Sequence, residues 1–178
     1  MEMKIIEGNL ITLAKAGRFD VIVHGCNCFC TMGAGIAKSI KLEFPEAYQV
    51  DLQTIKGDKS KLGTITYADV KVPDKHVMQI KITKSFKKGY EVDRVGPAFN
   101  SLTVVNGYTQ YNYYGKTLLV EYNAVRSVFK EVKSLFSDGR IGYPKIGAGL
   151  AGGSWSIIEK IIDEELQDED HTLVIFKP

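Results

Sequence analysis

Long apolar runs are missing from this chain of 178 residues: stretches such as Val21-Ile22-Val23 end after a few positions, far short of the ~20 that span a bilayer. The first residues also lack the basic-then-apolar order of a secretory signal. No membrane association is expected. Proline (5) and glycine (17) are too few for a collagenous or disordered chain. Neither sign of charge dominates, with 23 Lys plus Arg against 21 Asp plus Glu and a net charge of +2. No global field then pulls the protein toward a polyanion, and direct nucleic-acid binding is not expected. Cysteine is scarce: Cys26, Cys28 and Cys30 occupy alternate positions in one stretch. They are too close for a useful disulfide framework, and their odd number fits a reducing, cytoplasmic setting. With His24 they form no zinc pattern either, because no second ligand pair follows, so they read as small core thiols. No cofactor or metal is called for by any cluster, and a monomer is expected. Repeats and low-complexity tracts are absent as well, which excludes solenoids and arrays.

What is present is a 44% hydrophobic, 25% charged composition of ordinary globular type. Its length suits one domain over residues 1–178. The apolar periodicity alternates between two kinds, which predicts an α/β fold with a mixed central sheet. Strands are expected at 3–7, 19–24, 63–68, 77–82, 102–108, 141–146 and 172–176, several almost wholly apolar, as strands covered on both faces are. A helix is clearest over 121–136, where Val125, Phe129, Val132 and Phe136 recur at helical spacing. A second is expected over 154–167, with Ile158, Ile161 and Ile162 inward and a solvated acidic tail. A third begins near Ala34 and stops or restarts at Pro45. Residues 83–101 mix lysines with aromatics and read either as a solvated loop or as a lid over a site.

Two segments share one design. The strand at 19–24 runs through Gly25-Cys26-Asn27 into Met32-Gly33-Ala34-Gly35-Ile36-Ala37, and the strand at 141–146 runs into the glycine-rich stretch 147–153. Each is a glycine turn opening a helix, where small residues permit close backbone approach and unpaired N–H groups favour an anion. Two such loops at one sheet edge could grip a diphosphate from both sides. Gly147, Gly149 and Gly152 match the dinucleotide-binding fingerprint literally, but only one helix and one strand remain before the chain ends, too little for that fold. Neither loop ends in the Gly-Lys-Ser/Thr of a P-loop. A cysteine phosphatase would need an Arg just after its Cys, whereas the nearest downstream basic residue is Lys38.

With these loops, the Gly8-Asn9-Leu10 start and the apolar strand ending in Asn27, the chain resembles the macrodomain family over nearly its whole length. Within it, His24-Gly25-Cys26-Asn27-Cys28 followed by residues 32–37 is most similar to the ADP-ribose 1''-phosphate phosphatases. The resemblance implies a three-layer α/β/α fold that binds ADP-ribose or ADP-ribose 1''-phosphate and releases phosphate from the latter. It places Gly8, Asn9 and Leu10 at the adenine end, with Asn9 on the base edge through its donor and acceptor. Phe176 would stack beside the base, unless it is a core aromatic. Asn27, next to Gly25 and Cys26, would hold the distal ribose, unless its amide only closes an Asx turn. The backbone of Met32, Gly33, Ala34, Gly35, Ile36 and Ala37 would surround that ribose and its phosphate. Ile146, Gly147, Ala148, Gly149, Leu150 and Ala151 would enclose the diphosphate. His24 is the side chain near the first loop able to move a proton near neutral pH, as a catalytic acid or water-orienting group, or else it is a satisfied polar cap of its strand. Two alternatives stay open: a hydrolase that removes ADP-ribose from macromolecules, and a silent ADP-ribose-binding module. One hydrolase subgroup uses a Lys and an Asp where this chain has Gln110 and Ala151.

Overall fold

Val21, Ile22 and Val23 are all buried, because their strand lies inside a sheet covered by helices on both faces. The structure, a computed structural model, describes residues 3–73, 99–115 and 118–177. In chain order the elements are β1 (Lys4–Gly8), α1 (Leu10–Lys15), β2 (Val21–Asn27), α2 (Gly35–Glu43), α3 (Pro45–Leu52), β3 (Ile65–Pro73), β4 (Phe99–Gln110), α4 (Tyr122–Phe136), β5 (Ile141–Tyr143), α5 (Trp155–Glu165) and β6 (His171–Phe176), with a 3-10 turn at Lys59–Lys61 before β3. The strand expected at 77–82 and all but the last three residues of 83–101 lie outside the described residues; residues 99–101 open β4.

The sheet order is β1-β6-β5-β2-β4-β3. Its first five strands are mutually parallel and β3 pairs antiparallel with β4 at the edge, so the sheet is mixed as expected. Alternation along β2 sends Val21 and Val23 to one face and Ile22 to the other. The first face packs on α4 and α5 through Val125, Phe129, Val132, Ile158 and Ile162. The second packs on α1, α2 and α3 through Leu10, Ile11, Ile40, Phe44 and Ala47. This is the three-layer arrangement. Among the described residues no helix is long and apolar enough to cross a membrane.

Three local differences from the sequence reading have physical causes. α1 was not anticipated: six residues are too few for a helical period to show, and its start is set by Asn9 instead, whose Oδ1 accepts from Ile11 N (3.0 Å) and Thr12 N (3.1 Å). β5 ends at Tyr143 rather than 146, since Pro144 has no N–H to continue a ladder. The acidic end of α5 is not simply solvated, as Arg126 of α4 donates to Glu165 (2.6 Å) and Glu164 (2.8 Å).

Because five strands run parallel, Gly8, Asn27, Gln110, Tyr143 and Phe176 all come out at one edge of the sheet. Carboxyl ends of parallel strands are where α/β sheets bind ligands.

A candidate ADP-ribose cleft

That edge carries two adjoining cavities. The larger, about 490 Å3, lies between the first glycine loop and the second, and Gly25, Cys26 and Asn27 from β2 line it. Gly33, Ala34, Gly35, Ile36 and Ala37 form one wall, and Ile146, Gly147, Gly149, Leu150 and Ala151 the other. The smaller, about 310 Å3, is bounded by Gly8, Asn9 and Leu10 on one side and Phe176 on the other. The two share Gly35, Ile36 and Pro144 in their walls, so they lie side by side along the sheet edge and together make up the cleft.

Backbone N–H groups supply most of the donors expected of the cleft. Ala34 caps α2 without a side-chain hydrogen bond. Among the described residues, the N–H groups of Gly35, Ile36 and Ala37 at the first turn of α2 have no partner, so they and the helix dipole favour an anion. In the second loop the N–H groups of Gly152 and Gly153 close internal turns on Gly149 O (3.0 Å) and Gly147 O (2.8 Å), whereas those of Gly149, Leu150 and Ala151 stay unpaired among the described residues. Lys145, exposed at the start of this loop, is the one charged side chain in either cavity wall among the described residues.

Asn27 donates through Nδ2 to Thr31 O (2.8 Å) and accepts at Oδ1 from Phe29 N (2.8 Å). The amide therefore closes the turn after β2, with one N–H and one lone pair left for a ligand. Asn9 likewise spends its oxygen on the cap of α1, so what it presents to a base is the NH2 group rather than both functions. Phe176 is 68% exposed and forms a wall of the smaller cavity; it is not a core aromatic.

Three expected site residues do not reach the cleft. His24 is 1% exposed and lines neither cavity. Its Nε2 donates to Asn106 Oδ1 (2.7 Å), and Asn106 Nδ2 donates onward to Ala47 O (2.8 Å) and Thr66 Oγ1 (3.0 Å). Desolvation lowers the His24 pKa to about 4, partly opposed by the Asn106 hydrogen bond, so the ring is neutral at neutral pH. Of the two readings the sequence left open for His24, this placement is that of a satisfied polar group of its strand rather than of a side chain facing the cleft. Met32 is buried against Cys26, Cys28 and Tyr108. Ala148 turns away to pack on the α4/α5 core. Cys26 does line the cleft, but burial pushes its thiol well above its ordinary range, so it offers no thiolate.

The sequence reading did not propose Thr31, Tyr113, Pro144 or Lys145 as wall residues, and it noted Gln110 only as a replaced hydrolase position. Pro144 and Lys145 follow β5 directly, and the carboxyl-end rule applied to that strand finds them. Gln110 ends β4 and Tyr113 follows it, and no glycine-rich loop marks that end.

The site is therefore a cleft with unpaired backbone N–H groups over the carboxyl ends of the parallel strands of an α/β/α protein. No family model matches the chain. A curated relative from Enterobacteria phage T4, described as an uncharacterized 17.5 kDa protein, is 29% identical over 100% of this chain and 99% of its own length. An ADP-ribose 1''-phosphate phosphatase of Candida albicans is 24% identical over 91% of this chain and 92% of its own. Among solved structures, the macrodomain of Thermus aquaticus DarG superposes with a TM-score of 0.62 at 19% identity, over 99% of this chain and 98% of that one. A Trypanosoma brucei macrodomain in complex with ADP gives 0.61 at 15%, over 99% of this chain and 65% of that one. The fold of this chain is that of the macrodomains.

Proposed function

We propose that the cleft binds ADP-ribose, and that ADP-ribose 1''-phosphate is hydrolysed there to ADP-ribose and phosphate. The observation that carries the binding reading is that the two cavities adjoin, with Gly35, Ile36 and Pro144 in the walls of both. The smaller, with the Phe176 ring and the Asn9 amide, suits adenine. The middle, with unpaired N–H groups from both loops and Lys145, suits the diphosphate. The far end, with Asn27 and Gln110, suits the distal ribose.

The phosphatase step is supported by the curated relative of that activity at 24% identity. The reaction forms a bond from a water oxygen to phosphorus and breaks the bond from phosphorus to the sugar oxygen, which takes up a proton. Among the described residues no carboxylate or imidazole lines the cleft. The reaction is then driven by donors that stabilise charge on the phosphoryl oxygens, the role left to the loop N–H groups and Lys145. Uncharged Gln110 and Ala151 line the cleft where one hydrolase subgroup has Lys and Asp, which argues against that subgroup's mechanism.

Calorimetric titration with ADP-ribose beside a phosphate-release assay on ADP-ribose 1''-phosphate tests both statements. Micromolar binding with release is expected. Binding without release removes the phosphatase step alone, and absence of binding removes the whole reading.

A further inference from the structure

The turn that carries Asn27 and Thr31 to the far end of the cleft is held from below by a buried lysine. Lys61 is 7% exposed and its partner Asp51 1%. A buried ammonium must satisfy its three donors or destabilise the fold severely. Lys61 Nζ donates to Cys28 O (3.2 Å) and to Cys30 Sγ (3.4 Å), and lies 3.6 Å from Asp51 Oδ1. It also sits 4.6 Å from the centre of the Tyr108 ring. Asp51 in turn accepts from Tyr108 OH (2.8 Å), and its backbone oxygen accepts from Cys30 Sγ (3.3 Å).

Two of these four groups around the ammonium, Cys28 O and Cys30 Sγ, belong to the turn itself. Within it Cys30 adopts a left-handed backbone with φ 54°. For a residue with a Cβ that conformation costs about 1 kcal/mol or more and persists only where surroundings enforce it. The turn is also held by Gly57 N donating to Cys28 O (2.8 Å), Cys28 N donating to Tyr111 O (3.0 Å), Thr31 Oγ1 donating to Phe29 O (3.2 Å) and Thr54 Oγ1 at 3.4 Å from Cys30 Sγ, but among the described residues Lys61 is the group that contacts Cys28 O and Cys30 Sγ together. A pair of buried charges is a poor source of stability compared with apolar residues of the same size, but it specifies geometry well.

We infer that Lys61 is a positioning residue: it sets the turn at residues 28–31 and thereby the selectivity of the cleft for a ligand that bears a distal ribose. The inference rests on the proposed ADP-ribose binding. In the proposed binding, adenine and diphosphate fall to Asn9, Phe176, Lys145 and the N–H groups of the two loops, whereas the partners of Lys61 are Cys28, Cys30, Asp51 and Tyr108. Loss of Lys61 should therefore weaken ADP-ribose while leaving ADP nearly unaffected.

The experiment is calorimetric titration of wild type and Lys61→Met with ADP-ribose and with ADP. Wild type is expected to prefer ADP-ribose by about tenfold or more, roughly 1.4 kcal/mol. Lys61→Met should bring that ratio close to one, and Lys61→Arg should restore part of it. Should Lys61→Met fail to fold because Asp51 is left uncompensated, the double variant Lys61→Met, Asp51→Asn removes both charges and keeps an acceptor for Tyr108. A core variant, Phe129→Leu, controls for general destabilisation and should keep the wild-type ratio. An unchanged ratio in the lysine variants overturns the inference while the binding proposal stands. Equal wild-type affinity for the two ligands overturns the distal-ribose assignment and the inference with it. Absence of any wild-type binding overturns the proposed function itself.

Discussion

The two glycine loops face each other across one cleft but stand on different floors. Below the first lie polar groups joined by hydrogen bonds and, between Lys61 and Asp51, an ion pair: Lys61, Asp51, Tyr108, Thr66, Asn106 and His24. Below the second lie Val120 and Ile158. The glycines differ accordingly. At Gly33 an added Cβ would find only Thr31 Cγ2 at 3.9 Å, and at Gly149 nothing within 4 Å, so that space belongs to the cleft. At Gly147, where φ is +71°, an added Cβ would stand 2.6 Å from Val120 Cγ2. Glycine is there needed for the fold before any ligand arrives. One loop is thus shaped by buried hydrogen bonds and the other by close packing, although both present bare N–H groups to the same ligand.

The largest effect should come from filling the ligand's space. Gly33→Glu is expected to fold normally yet weaken ADP-ribose by more than about 10²-fold, near 3 kcal/mol, since a carboxylate enters the anion's position. Wild-type affinity by calorimetry would end the two-loop account. The opposite behaviour is expected of Gly147→Ala, which strains a left-handed backbone and crowds Val120. Urea unfolding should show a loss of about 3 kcal/mol. A variant as stable as wild type would mean that the second loop is not set by packing.

The polar floor should also make the protein acid-sensitive through His24. Its ordinary value is 6.5 and its folded value about 4, so the unfolded chain takes up a proton first as pH falls. Stability from this group is complete above 6.5 and declines toward pH 4, by up to about 3 kcal/mol. His24→Gln should flatten that part of the stability profile. Identical slopes in the two proteins would place the acid sensitivity elsewhere. The smallest effect is at the exposed end: Phe176→Ala should cost ADP-ribose affinity about 1 kcal/mol through lost stacking, with thermal stability unchanged. Unaltered affinity would remove Phe176 from the adenine site.

Much of the cleft could be read in the sequence because backbone binding demands smallness, and smallness is visible as glycine and alanine. Gly33 to Ala37 and, of Gly147 to Ala151, all but Ala148 line it. His24 shows the limit. It shares a face of β2 with Cys26, which does line the cleft, but stands two residues further from the strand's carboxyl end, against Asn106 of β4, which in turn bonds to α3. Asn9 and Asn27 were expected to meet a ligand and they line the cavities, but their oxygens are engaged in a helix cap and an Asx turn, uses that only the local backbone reveals. Lys61 gave no signal, since a lysine in a polar stretch reads as solvated until α3 and the turn at 28–31 close over it.

By itself the sequence determined the alternation of strands and helices, the buried apolar stripes and the two glycine turns, because each follows from residue size and periodicity over a few positions. The tertiary structure alone decided that the turns share one cleft, that His24 lies outside it and that Lys61 lies beneath it. Those facts depend on sheet order and on which distant groups become desolvated together, and no local pattern carries them.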